Sequence, residues 1–298
     1  MILSSSISRP YLNTFGVEKS IELMAAAGFD AIDFPFGGKY CSSETDSNTF
    51  KEYFLNIREI TQEKGLYFNQ AHAPAPSSHV DEVRDKELFE TIVRSIRNAS
   101  YLGVPTIVVH PVQHLTYDDD ENPERLFEMN VSFYNRLKPY CEEYGIKIAL
   151  ENMWQYIGKK ISHSTCSRPD EFNRYLDALD GNYFVGCLDI GHAFLVGETP
   201  SDFIRNMGNQ RLQALHVHDV DGFLDSHTIP FQGRINWERT VKALADIGYR
   251  GDLTYEANGF LTQTPFELYP SALHHMVETG RYLIRKFQDY STAGETSV

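Results

Sequence analysis

The sequence predicts an α/β chain closed into a (β/α)8 TIM barrel, on three observations. Short apolar runs alternate with longer amphipathic ones from end to end. There are eight such pairs in one uninterrupted series, the number a closed barrel requires. No Gly-rich turn follows the first run, where a doubly wound dinucleotide-binding sheet would need one, and no P-loop is present. The strands are expected at 2–8, 31–36, 67–73, 106–110, 147–152, 184–190, 213–219 and 252–257. Helices are expected near 17–27, 49–65, 82–101, 121–145, 169–179, 201–208, 236–247 and 266–287. Unbroken apolar runs such as Thr106-Ile107-Val108-Val109 suit strands covered on both faces. The helix at 121–145 opens on Glu121, Asn122, Pro123 and Glu124, with acidic groups where the helix dipole favours them. One barrel domain is expected over 1–290. The Ser- and Thr-containing residues 291–298 read as a flexible C-terminal tail.

Composition narrows the function classes. Apolar residues at 42% and charged residues at 23% argue against disorder and against a fibrous fold. The 27 Lys and Arg against 41 Asp and Glu give a net charge of -14, which repels phosphate backbones and makes nucleic acid an unlikely partner. The four cysteines, at 41, 141, 166 and 187, form no CxxC pair and read as buried small residues. No apolar run is long enough to span a membrane. The start Met1-Ile2-Leu3-Ser4-Ser5 lacks the basic and apolar segments of a signal peptide, so a cytoplasmic location is expected.

In a barrel, chemistry collects at the C-terminal ends of the strands. Here His72 closes the third run, His110 the fourth, Glu151 the fifth and Asp189 the sixth, with His192 just beyond. His216 and His218 lie on the seventh and Glu256 on the eighth. Taken singly, such a histidine is an ordinary hydrogen-bonded residue and such a carboxylate an ordinary helix cap. Taken together, several carboxylates within apolar strands need something to neutralise them. A divalent metal does this most simply. The mixed oxygen and nitrogen donors suit Zn, Mn, Co or Fe. Glu151, Asp189, His216 and Glu256, one per strand, form the expected ligand set. His216 and His218 share a strand face by the two-residue period, so either could be the direct ligand, with the other supporting it from behind. The loop from Asp219 to Ile235 carries Asp221, Asp225 and His227, and Asp225-x-His227 with His192 could hold a further metal.

These residues resemble the xylose-isomerase-like barrel superfamily, which includes sugar (phosphate) isomerases and epimerases, inosose dehydratases and type IV apurinic endonucleases. The resemblance rests on His216-Val217-His218-Asp219-Val220-Asp221-Gly222, on Asp225-x-His227 and on Gly233-Arg234-Ile235-Asn236-Trp237. The segment Asp189-Ile190-Gly191-His192-Ala193-Phe194 is similar to the endonuclease branch's Asp-x-x-His-Ala-Phe. That branch implies up to three metals. His72 and His110 with Glu151 would hold one; Glu151 would bridge to a second held by Asp189, His216 and Glu256; and His192, Asp225 and His227 would hold a third. Its His-x-x-Asp pattern favours His216 over His218. Two features depart from that branch. Glu151-Asn152-Met153-Trp154 lacks its Gly-rich continuation, and the loop at 37–48 is nearly neutral where a DNA-binding loop would be basic. The epimerase branch places a substrate arginine soon after its seventh-strand histidine. Acidic and small residues occupy that place here, and Arg234 stands in as the candidate.

The resemblance therefore implies a divalent-metal-dependent sugar isomerase or epimerase, with one to three metals (Zn, Mn or Co), acting on a ketose or related neutral polyol. Glu151 and Glu256 would take and return the proton beside the carbonyl, and His192 would assist. His72, His110, Trp154, His218 and Arg234 are expected at the substrate, with Phe36, Trp154 and Phe260 walling the pocket. The alternatives are an inosose-dehydratase-like lyase, a metal-dependent apurinic endonuclease and a non-catalytic sugar binder. Barrel relatives often form dimers or tetramers, so a homo-oligomer is within the expectation.

Overall fold

A computed structural model describes residues 1–117 and 121–295. Eight parallel strands run in the order in which the chain makes them: β1 (Leu3–Ser6), β2 (Ala31–Pro35), β3 (Tyr67–His72), β4 (Thr106–Val108), β5 (Lys147–Glu151), β8 (Phe184–Asp189), β9 (Leu212–His216) and β10 (Leu253–Tyr255). Each pairs with its neighbour, and β1 pairs with β10. The ring closes between β9 and β10 through a parallel bridge from Val217 to Tyr255. There the Val217 amide donates to the Thr254 carbonyl at 2.9 Å, and the Glu256 amide donates to the Val217 carbonyl at 3.2 Å. The (β/α)8 barrel is thus the observed architecture.

Helices cover the outside because their sequences carry one apolar face. In Trp237–Asp246, for example, Trp237, Val241 and Leu244 are buried at four- and three-residue spacing, and Asn236 caps the N-terminus by accepting from the Arg239 amide. At the far end of the chain, Arg281 in the helix Tyr269–Glu295 forms a two-pronged ion pair with Asp30, at 2.6 Å on each prong. Asp30 also accepts from the Leu3 amide. The last helix is thereby tied to the first two strands.

The inside of the barrel positions the site. Val108, Ala149, Val185, Cys187 and Ala214 form a small apolar cluster of their own, separate from the larger outer core. Side chains along a strand alternate faces. The residue two places beyond an inward-facing one therefore also faces inward, one layer higher. Two places after Val108 comes His110; after Ala149, Glu151; after Cys187, Asp189; after Ala214, His216.

Some boundaries and elements differ from the sequence expectation. The strand expected at 106–110 ends at Val108, and that expected at 213–219 ends at His216, beyond which Val217 and Asp219 make only single bridges. A short helix, Arg9–Phe15, precedes the first expected one, with Gly16 between them at φ +85°. After β5 the chain forms an antiparallel hairpin, β6 (Trp154–Ile157) and β7 (Lys160–His163), turning at Gly158. The last helix runs through Glu295, past the boundary at 291 where a tail was expected. There the Ser291 and Thr292 hydroxyls, placed within the helix, donate to carbonyls one turn back. Residues 296–298 lie outside the described set.

Candidate active site

The four expected ligands meet at the barrel rim. His216 Nδ1 lies 2.8 Å from Glu151 Oε1, 3.3 Å from Glu256 Oε2 and 4.0 Å from Asp189 Oδ2. One donor atom from each of the four falls within 4.8 Å of the others. Glu151, Asp189 and His216 are wholly buried. Three further groups adjoin or overlap them: His72, His110 and Glu151; His72, His216 and Glu256; and His192, His218, Asp225 and His227.

The histidine hydrogen bonds fit these groups to a metal. His72 Nδ1 lies 2.6 Å from the Ala73 carbonyl, His192 Nδ1 2.9 Å from the Asn152 carbonyl and His227 Nδ1 2.7 Å from the Glu256 carbonyl. A carbonyl only accepts, so each Nδ1 carries a proton, and Nε2 is left to take either a metal or a second proton. Those Nε2 atoms face carboxylates: His72 at 3.5 Å from Glu151, and His192 and His227 at 3.4 and 3.0 Å from Asp225. An Nε2 facing a carboxylate is favourable with a proton on it or a cation between, and an imidazole whose other nitrogen is anchored to a backbone carbonyl has the usual form of a metal ligand. Glu151 Oε2 is 3.1 Å from His110 Nε2 yet accepts no hydrogen bond, and Asp225 Oδ1 is likewise buried and unpartnered.

Electrostatics follow the same geometry. Burial pushes the Glu151 carboxyl up, but the His216 and His110 imidazoles outweigh it and hold Glu151 well below the carboxylate range. Burial pulls imidazoles down; at His192 the Asp189 and Asp225 carboxylates reverse this and carry it well above its ordinary value. At His227, Asp225 and Glu256 likewise overcome burial and raise the imidazole to about 9. His110 goes the other way: burial wins over Glu151 and lowers it.

Above the four-residue group opens a cavity of about 520 Å³. Glu151, Glu256, His72, His110, His192, Trp154, Asp225 and His227 line it, while Asp189 and His216 lie behind the wall. Two expected substrate contacts are misplaced. His218 is fully buried, with Nε2 2.9 Å from both Asp189 oxygens and its ring stacked 3.9 Å from that of His227. His218 therefore braces Asp189 from behind the cavity wall. Arg234 is exposed and lines a separate depression with Glu198 and Arg239. The loop folds this way because Asp219 gathers it. Its carboxylate accepts from the amides of Val220, Phe231 and Ile235 and from Trp237 Nε1. A side chain at Gly233 would collide with that carboxylate. The same loop holds His227 at φ +42°, in the left-handed region. Phe36 and Phe260 do not line the cavity; Tyr156 of the hairpin does, beside Trp154, whose Nε1 donates to Asp225 at 3.2 Å. Sequence reasoning passed over Asp33 and Arg9, which also line it. Burial raises the Asp33 carboxyl to about 6. Arg9 donates to the Phe36 carbonyl at 3.1 Å.

Comparison with known proteins agrees with this architecture. The family model described as xylose isomerase-like TIM barrel matches residues 21–278. The chain is 28% identical over 268 residues to the uncharacterized protein y4fM of Sinorhizobium fredii, covering 81% of each. It is 24% identical over 247 residues to the D-psicose 3-epimerase of Enterocloster bolteae, covering 80% of this chain and 76% of that one. Among solved structures, a D-tagatose 3-epimerase-like protein superposes with a TM-score of 0.74 at 23% identity, covering 96% of this chain and 99% of the other. The IOLI protein with a bound zinc atom superposes at 0.72 and 18% identity, covering 97% and 99%. At these identities the structural likenesses establish the fold.

Proposed function

The chain belongs to the xylose isomerase-like TIM barrel family, and from that premise we propose that it is a divalent-metal-dependent sugar epimerase or isomerase. The observation that carries this reading is the convergence of Glu151, Asp189, His216 and Glu256, with only the two glutamates reaching the cavity. These four residues would hold the metal. When bound, a divalent cation supplies a Lewis acid that polarises a ketose carbonyl and favours the negative charge developing on its oxygen. Glu151 and Glu256 enter the cavity from β5 and from the end of β10, so one takes the proton from the carbon beside the carbonyl while the other returns one. The burial of Asp189 and His216 keeps them clear of the reacting carbon. His192, fixed by the Asn152 carbonyl, presents Nε2 towards the cavity beside Asp225, where it orients a hydroxyl. Trp154 and Tyr156 screen the mouth from water. The likeness to a D-psicose 3-epimerase and a D-tagatose 3-epimerase-like protein supports ketoses as the substrate class.

A second reading, phosphodiester hydrolysis, draws on the further His/Asp/Glu groups beside the four-residue group. It needs several cationic contacts to phosphates, whereas Arg9 is the one Lys or Arg among the described residues lining the cavity. The test is incubation of protein loaded with Mn, Co or Zn with D-psicose, D-tagatose and L-ribulose in heavy water. The epimerase reading expects deuterium at the carbon beside the carbonyl. No incorporation into any of them, together with cleavage of abasic duplex, overturns it in favour of the second reading.

A further inference from the structure

Asp33 is the anomaly of the cavity wall. It sits on β2, is wholly buried, and neither carboxylate oxygen has a hydrogen-bond partner. No Lys, Arg or His among the described residues forms an ion pair with it, unlike Glu151, Asp189, Asp225 and Glu256. It belongs to none of the groups whose donors converge tightly enough to share a cation. A carboxylate buried without donors is strongly unfavourable. It persists where a ligand supplies the missing donors, which is how binding sites carry unmet hydrogen-bonding capacity. The barrel geometry says which part of a ligand this is. In the ring order β10-β1-β2-β3-β4-β5-β8-β9, β2 lies four places from β8, directly across the barrel from Asp189. With its carbonyl end held between Glu151 and Glu256, a ketose would meet the β1 and β2 wall with its remaining hydroxyls. There Ser6 and Asn258, hydrogen-bonded at 3.2 Å, stand on the same wall.

We propose that Asp33 is a specificity-determining residue whose two oxygens accept hydrogen bonds from a pair of adjacent free hydroxyls at the end of the substrate remote from the reacting carbon. The inference rests on the epimerase reading and narrows its substrate to polyhydroxy ketones with an unsubstituted diol at that end. Hydrogen bonds to a charged acceptor are strong, and removing them weakens binding by about tenfold to a hundredfold.

The experiment compares wild type, Asp33→Asn and Asp33→Leu, each loaded with Mn. Solvent-deuterium exchange is followed over a concentration series of D-psicose and D-tagatose and of their 5-deoxy and 6-deoxy analogues. Expected is a KM raised about tenfold to a hundredfold in Asp33→Leu, less in Asp33→Asn, with kcat nearly unchanged and metal content equal to wild type. The deoxy analogues are expected to be poor for wild type and no poorer than the parent sugars for Asp33→Leu. An unchanged KM overturns the inference alone. Metal loss in the variants overturns it by making Asp33 a ligand, and a collapsed kcat at constant KM by making it catalytic. If wild type exchanges no sugar, the epimerase reading fails first and the inference falls with it.

Discussion

From β5 round to β10 the rim is crowded. Glu151, Asp189, His216 and Glu256 converge, His192 and His227 line the cavity beside them with His218 behind, and each of these imidazoles has a carboxylate oxygen within hydrogen-bonding or near hydrogen-bonding distance. From β1 to β2 the same rim carries Ser6, Arg9 and Asp33, and Asp33 has no hydrogen-bond partner among the described residues. Both halves are polar and both line one cavity, but their charges are handled differently. The crowded half is assembled from carboxylates and imidazoles whose lone pairs already face one another, as a cation requires. The sparse half leaves its acceptor unmet, as a ligand's hydroxyls require. The difference separates the part of the site that performs chemistry from the part that chooses the substrate.

Substitutions in the crowded half are expected to have the largest effects. Glu151 belongs to two of the convergent groups. Glu151→Gln is expected to lower deuterium exchange by about a thousandfold or more and to reduce bound metal by elemental analysis; full activity with full metal ends the assignment. Next comes the loop that supplies Asp225 and His227. Asp219→Ala leaves three backbone amides and the Trp237 indole without their acceptor. A loss of about 3 kcal/mol in urea unfolding is expected, since buried donors left unpaired cost roughly 1–3 kcal/mol each and the loop partly relaxes. A change below about 0.5 kcal/mol would show that the loop holds itself.

A pH effect comes third. After chelation, the His227 imidazole has its affinity for protons raised to about 9 by Asp225 and Glu256 against the pull of burial. A folded-state value above the unfolded one of about 6.5 means stabilisation that is fully present below pH 6.5 and lost as pH rises through 9. The urea midpoint of chelated protein is therefore expected to fall over that range, and Asp225→Asn to flatten the fall. An unchanged slope in Asp225→Asn would place the cause elsewhere. The smallest effect is expected at Arg234, which lies outside the cavity. Arg234→Ala should leave KM within about twofold, because a surface charge contributes little. A tenfold rise would return it to the substrate.

Much of the crowded half is legible in the sequence for a physical reason. Interior strands of a parallel barrel are apolar throughout, so a carboxylate or imidazole at the end of such a run stands out. Glu151, Asp189, His216 and Glu256 all do. Asp33 meets the same criterion inside Ala-Ile-Asp-Phe-Pro, but it lies within the run, before the expected end at 36, and only the wall of the folded cavity reveals it. The hairpin from Trp154 to His163 escapes because its strands are short and half-exposed, with little contrast in polarity. Arg234 and His218 stand away from the cavity for a common reason. Both follow His216, where the strand stops and Asp219 redirects the chain, and neither strand periodicity nor distance along the sequence carries past that point.

The most direct test of the account is anomalous X-ray diffraction from crystals grown with Mn or Zn. The account predicts a peak bounded by Glu151, Asp189, His216 and Glu256, at about 2.0–2.2 Å from their donor atoms. Crystals saturated with metal that show no peak there, with these four side chains paired only to one another, would contradict it.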